Sequence, residues 1–207
     1  MRIYQRHLPH WRQEGVTYFT TFRLADSLPQ GRLRELAALR EQWEQQNPLF
    51  RTDEHWRSLA RHSLQRVEAW LDAGHGSCVL QQAFAADCLE QKLRHFCGRQ
   101  YDLCAFVLMP NHVHLLVKPF SDTDHPLERL EQQWKTHSSR GINASRGTRG
   151  TLWQPESFDR IVRDEEHLYR CIQYIGSNPR RAGLGADLAR RWIRPDWIAA
   201  GWGFVDP

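Results

Sequence analysis

Lysine is almost missing from this chain. Of its 28 basic residues, all but Lys92, Lys118 and Lys135 are arginine. Other absences bound the answer further. No window approaches the roughly 18 consecutive apolar residues that a membrane span needs. The first ten residues carry Arg2 and Arg6, but Pro9 and His10 interrupt them and no apolar stretch follows, so they do not read as a signal peptide. The five cysteines are odd in number, and no pair has C-x-x-C spacing. That argues against a disulfide framework or a zinc knuckle and for free thiols in a reducing compartment. The expectation is a cytoplasmic protein with no membrane association. At 207 residues, 41% hydrophobic and 25% charged, the chain has the make-up of one globular domain, taken as 1–207.

What is present is arginine in one place. From Lys135 to Arg194 there are twelve basic and six acidic residues, against a net charge of +4 for the whole chain. Arginine grips phosphate with two parallel N–H groups and stacks on flat rings, which lysine cannot do. A basic C-terminal third with a basic tail over 185–207 points to a polyanionic partner, and a solvated surface is the alternative.

Val16 to Leu24, rich in β-branched and aromatic residues, predicts a strand. Arg32 to Gln46 and Glu54 to Ala73 predict helices, the first ended by Asn47-Pro48 and the second capped by Asp53. Cys78 to Leu80 reads as extended, and Gln81 to Cys97 as a third helix. Tyr101 to Leu108 and His112 to Lys118 are apolar runs joined by Met109-Pro110-Asn111, the pattern of a β-hairpin. Pro126 to Arg140 predicts a helix and Gly141 to Gly150 a polar loop. Phe158 to Val162 predicts a strand. Asp164 to Ser177 predicts a helix ended by Asn178-Pro179. The order suggests an α+β fold, a ferredoxin-like antiparallel sheet with helices on one face, and a helical insertion at about 31–73 after the first strand.

His112 and His114 stand two apart on a predicted strand, so both imidazoles leave the same face. That is half of a divalent metal site, though such a pair is also common as plain structure. Tyr174 and Asn178 are four apart and share a helical face if the helix persists through Pro179. By itself Tyr174 also reads as a core aromatic.

Leu108-Met109-Pro110-Asn111-His112-Val113-His114-Leu115-Leu116-Val117 resembles the histidine-hydrophobic-histidine (HUH) motif of single-tyrosine transposases, in particular the REP-associated tyrosine transposases. Leu152-Trp153-Gln154, Ser157 to Asp164, and Tyr174-Ile175-Gly176-Ser177-Asn178-Pro179-Arg180-Arg181-Ala182-Gly183-Leu184 resemble that group's later elements, in the same order. The resemblance spans roughly Val16 to Leu184; the long helical stretch before Gln81 departs from it. It implies His112, His114 and Asn178 as ligands of magnesium or manganese and Tyr174 as nucleophile. It further implies cleavage and rejoining of single-stranded DNA beside palindromic hairpins, through a 5′-phosphotyrosine. It also implies a monomer with the tyrosine helix in cis, a dimer being the alternative known in the wider superfamily.

Arg140, Arg146, Arg149, Arg180, Arg181, Arg190 and Arg191 are the candidate phosphate contacts. Trp153, Trp192, Trp197 and Trp202 are candidates for base stacking or for packing. No general base for Tyr174 is identifiable. A histidine-triad hydrolase is excluded, because Leu115 and Leu116 stand where a further histidine is required. A repeat-hairpin binder without catalysis and a nonspecific RNA-binding module are the other readings.

Overall fold

Six residues with aromatic and β-branched side chains, Tyr18–Arg23, form strand β3, the hub of the fold. The computed structural model describes residues 2–5, 9–47, 52–122, 125–185 and 187–205. Ahead of β3, β1 (Arg2–Gln5) and β2 (Pro9–Arg12) pair as an antiparallel hairpin. After it come the helices α1 (Gln30–Gln46) and α2 (Asp53–Asp72), a 3₁₀ turn (Val79–Gln81) and α3 (Ala83–His95). Then follow β4 (Tyr101–Leu108), β5 (His112–Pro119), α4 (Leu127–Arg146), β6 (Phe158–Ile161) and α5 (Glu165–Arg181). Strand β7 (Arg190–Ile193) and α6 (Pro195–Ala199) close the chain.

The sheet order is β6-β3-β5-β4-β7, antiparallel throughout. Without β7 this is the split βαβ-βαβ arrangement of the ferredoxin-like fold, as the sequence predicts. The two helices of that core, α3 and α4, lie on one face. Their Leu89, Leu93, Leu130, Trp134 and Ile142 join Phe22, Phe106, Leu108, Val113 and Leu115 in one cluster. The other face is covered too, which the expectation of helices on one face did not include. There α5 sets Cys171, Ile172 and Ile175 against Phe19, Ala105, Val107 and Leu116. At 25 cal/mol per Å2 of apolar surface, an amphipathic helix of this kind contributes several kcal/mol by burying its stripe.

Several boundaries move for identifiable reasons. Helix α4 runs on through the predicted loop to Arg146 and stops at Gly147, whose φ of 63° caps it. Gly141 does not break it, because a close approach requires glycine there: a Cβ would lie 2.5 Å from the Cys88 sulfur on α3. The cap of α2 is Thr52, whose hydroxyl accepts from the His55 amide, rather than Asp53. Cys78 is not extended; its φ of 48° turns the chain into the 3₁₀ turn. Pro48, expected to end α1, lies outside the described residues. Helix α5 does not end at Asn178 and contains Pro179. So late in a helix, Pro179 still accepts from Leu184 N, and Asn178 accepts from Ala182 N.

No helix among the described residues is long and apolar enough to cross a membrane.

Candidate active site

The site is built on the face that α5 covers, at the β3–β5 pair. Antiparallel register sets Thr21 opposite His114 and Arg23 opposite His112. Side chains two apart on β5 leave the same face, and the rings converge: His112 Nε2 and His114 Nε2 are 3.1 Å apart. Both residues are essentially without solvent access, at 1% and 0% exposure. Burial holds both imidazoles neutral; His112 is pushed down to about 3, and His114 falls well below its ordinary value, helped by Arg160 and Arg181.

Each ring is held from behind. His114 Nδ1 lies 2.7 Å from the Thr21 hydroxyl, and His112 Nδ1 lies 2.7 Å from Asn111 Oδ1. The orientation of Asn111 is fixed in turn. Its amide nitrogen donates to the carbonyls of Leu71 and His75, at 3.1 Å each. The oxygen must then face His112, which places the proton on Nδ1 and the lone pair on Nε2. The end of the helical insertion therefore sets the tautomer of a site histidine.

Helix α5 brings Tyr174 against His114, ring centroids 5.1 Å apart and edge-on, with Phe19 touching both rings. One turn later, Asn178 is 0% exposed, and neither its amide oxygen nor its amide nitrogen has a partner. The Tyr174 hydroxyl is likewise buried, and the Glu68 carboxyl is its polar neighbour. Its pKa is raised above that of ordinary tyrosine, first by burial and then by the nearby Glu68 carboxylate, while Arg181 opposes.

These residues fit a small divalent cation. With bonds of about 2.1 Å, two nitrogens this far apart subtend an angle near 90°, as neighbouring positions of an octahedron do. An orphaned buried amide is costly, and coordination through its oxygen would relieve half of that cost. Among the described residues no three His, Cys, Asp or Glu side chains form a metal cluster, so the donor set would be two imidazoles and an amide.

Of the predicted phosphate contacts, Arg181 reaches the site, its guanidinium 4.9 Å from the Tyr174 ring centre. Arg140, Arg146, Arg149 and Arg180 are exposed. Arg190 bridges Asp87 and Glu90, and Arg191 donates to the Gly176 carbonyl at 2.7 Å, so both have work within the protein. The tryptophans are packed. Trp153 is 4% exposed, Trp192 stacks on Phe106, and Trp197 and Trp202 join the cluster beneath α5.

Site neighbours that sequence reasoning did not single out are Thr21, Glu68, Asn111 and Arg160. Only Asn111, beside His112 in a tight turn, carried a local signal; the others arrive by long-range pairing. Arg160 stands opposite Phe19 in the sheet. Glu68 comes from α2 and lines a cleft with Thr21, Arg23, Leu71 and Phe158.

Residues 78–178 match the model of the family described as "Transposase IS200 like". That span holds His112, His114, Tyr174 and Asn178 and excludes the helices α1 and α2. No curated protein matches the chain. A solved structure described as "Structure of the REP associates tyrosine transposase bound to a REP hairpin" is similar at 16% identity, with a TM-score of 0.39, over 89% of this chain and 76% of that one.

Proposed function

We propose, from the match of residues 78–178 to the IS200-like transposase model, that this protein nicks single-stranded DNA beside hairpin-forming repeats and rejoins it through a tyrosine-linked intermediate. The observation that carries the reading is the histidine pair with the tyrosine helix laid against it. Two neutral imidazoles aim at one point, a tyrosine lies edge-on to one of them, and an amide without partners sits a turn away on the same helix. His112, His114 and Asn178 would hold magnesium or manganese, which supplies a Lewis acid for the scissile phosphate.

The chain's own residues do the rest. Asn111 keeps His112 in the tautomer that presents Nε2, and the Thr21 hydroxyl holds the His114 ring from behind. Phe19 and His114 fix the Tyr174 ring, so the hydroxyl is placed rather than searching. The Tyr174 oxygen attacks phosphorus, the bond to the 3′ oxygen breaks, and the tyrosine proton ends on the departing 3′-OH. The product is a 5′-phosphotyrosine, which keeps the energy of the phosphodiester for attack by another 3′-OH. The raised pKa of Tyr174 means that the hydroxyl is protonated at rest. The protein acts in the cytoplasm as one polypeptide domain, a monomer whose tyrosine helix serves its own sheet, with α1 and α2 as an insertion.

The test is a covalent-adduct assay with manganese and a hairpin oligonucleotide bearing single-stranded flanks. Wild-type protein should form a band that resists denaturant, and Tyr174→Phe should bind the hairpin and form none. An adduct of undiminished yield in that variant refutes the assignment.

A further inference from the structure

Arg160 and Arg181 approach the site from opposite elements. Arg160 projects from β6, its guanidinium carbon 4.6 Å from the Phe19 ring centre, and Phe19 lies 5.6 Å from the Tyr174 ring. Arg181 projects from the end of α5 over the Tyr174 ring itself. Both bear on His114 electrostatically. Neither forms an ion pair among the described residues. The donors of Arg160 are poorly used: its buried Nε has no partner, and Nη2 reaches only the Cys171 sulfur at 3.8 Å. A half-buried guanidinium with unused donors beside a nucleophile needs an explanation.

Glu68 of α2 borders the site, in the cleft it lines with Thr21 and Phe158. The Glu68 carboxylate of α2 interacts with Arg160, Arg181 and the Tyr174 hydroxyl, although it is largely desolvated and has Asp72 as a like-charged neighbour. A carboxylate and a phosphodiester present the same pair of oxygens to a guanidinium.

We propose that Arg160 and Arg181 form a two-sided clamp for the scissile phosphate. This rests on the nickase reading above and adds a catalytic residue, Arg160, that is not among the seven candidate phosphate contacts. Attack by Tyr174 gathers negative charge on the non-bridging oxygens while one P–O bond forms and another breaks. Two fixed guanidiniums favour that state over the ground state. The arginines exchange no proton or electron.

The decisive experiment separates charge recognition from catalysis. In a Tyr174→Phe background, hairpin DNA is bound with a neutral methylphosphonate placed in turn at each flanking phosphate. At one position neutralisation should weaken binding about tenfold when Arg160 is present and have little effect in Arg160→Gln. With Tyr174 restored, Arg160→Gln should lose about the same tenfold in affinity for unmodified hairpin and, at saturating DNA, form adduct roughly 100-fold more slowly, and added guanidinium should recover part of the rate. Equal sensitivity to every methylphosphonate with and without Arg160, or an adduct rate unchanged in Arg160→Gln, overturns the clamp. Absence of adduct in the wild type would instead refute the nickase reading, and the binding cycle would still decide the clamp. Should Arg160→Gln melt early, Arg181→Gln, exposed at the helix end, enters the same cycle.

Discussion

Asn111→Ala should weaken metal binding more than any other change outside the donor set. The residue is 1% exposed and makes three hydrogen bonds, two to carbonyls at the end of α2 and one to His112. The Leu71 carbonyl keeps a second donor, the Gly74 amide, so its loss is small. The His112 Nδ1–H keeps none and stays buried. Two or three bonds at about 1 kcal/mol each, with the orphaned donor at about 1–3, give a destabilisation of about 3–6 kcal/mol. Freed from Asn111, the ring can flip or change tautomer, and partners of this kind typically contribute 10–100-fold in metal affinity. Urea unfolding measures the first quantity, and calorimetric titration with manganese the second. The cycle with His112→Gln isolates the route: if Asn111 acts through His112, the double variant binds manganese no more weakly than His112→Gln alone. Wild-type manganese affinity in Asn111→Ala, or additive losses in the double variant, would refute the relay and leave Asn111 a purely structural residue.

Two further predictions concern stability. Metal-free protein should lose stability as pH falls. Buried His112 and His114 stay neutral while the unfolded chain takes up protons below about 6.5, so the loss begins there and continues toward the low folded values. For His112 it amounts to about 2 kcal/mol at pH 5, and urea titrations at pH 7.5 and 5.0 should show a smaller difference in His112→Gln; an equal difference would mean that the ring is not buried neutral. Gly176→Ala should destabilise by about 1–3 kcal/mol, because the new Cβ would stand 2.7 Å from the Phe204 ring that straps α5; Phe204→Ala should recover most of this in the double variant, and melts that are simply additive would count against the contact.

The hairpin of β4 and β5 was legible because two apolar runs flank Met109-Pro110-Asn111, and its strand limits differ from expectation by a single residue. The shared face of His112 and His114 follows from strand periodicity alone. What was illegible depends on distant partners. Gly141 reads locally as a loop, and only the proximity of Cys88 on α3 makes glycine a packing residue there. Pro179 reads as a stop, yet the last turn of α5 tolerates it, which leaves Asn178 on the Tyr174 face. The ion pairs of Arg190 were illegible too, because charge along a sequence says nothing of Asp87 and Glu90, about a hundred positions earlier. Arg160 sat in a quoted motif without a role; its role emerges once β6 is laid beside Phe19.

The position of the site is a property of register as much as of residue type. Strand β4 is apolar from Leu103 to Leu108, so its sequence does not say which residues face which layer. A bulge between Leu103 and Ala105 resolves this. Leu103 faces α3 and α4; after the bulge Phe106 and Leu108 take that side, while Cys104, Ala105 and Val107 face α5. Val107 then lies opposite His114 as a small apolar neighbour. Without the extra residue every side chain beyond it would change faces. Phe106 would enter the layer under α5 where Val107 now leaves room, and Tyr174 could not approach His114 at 5.1 Å. The same logic ties β3 to β5: a slip of one residue would put Phe22 rather than Thr21 opposite His114 and remove the hydroxyl behind its ring. The chemistry thus depends on an irregularity in a strand that contributes no catalytic group.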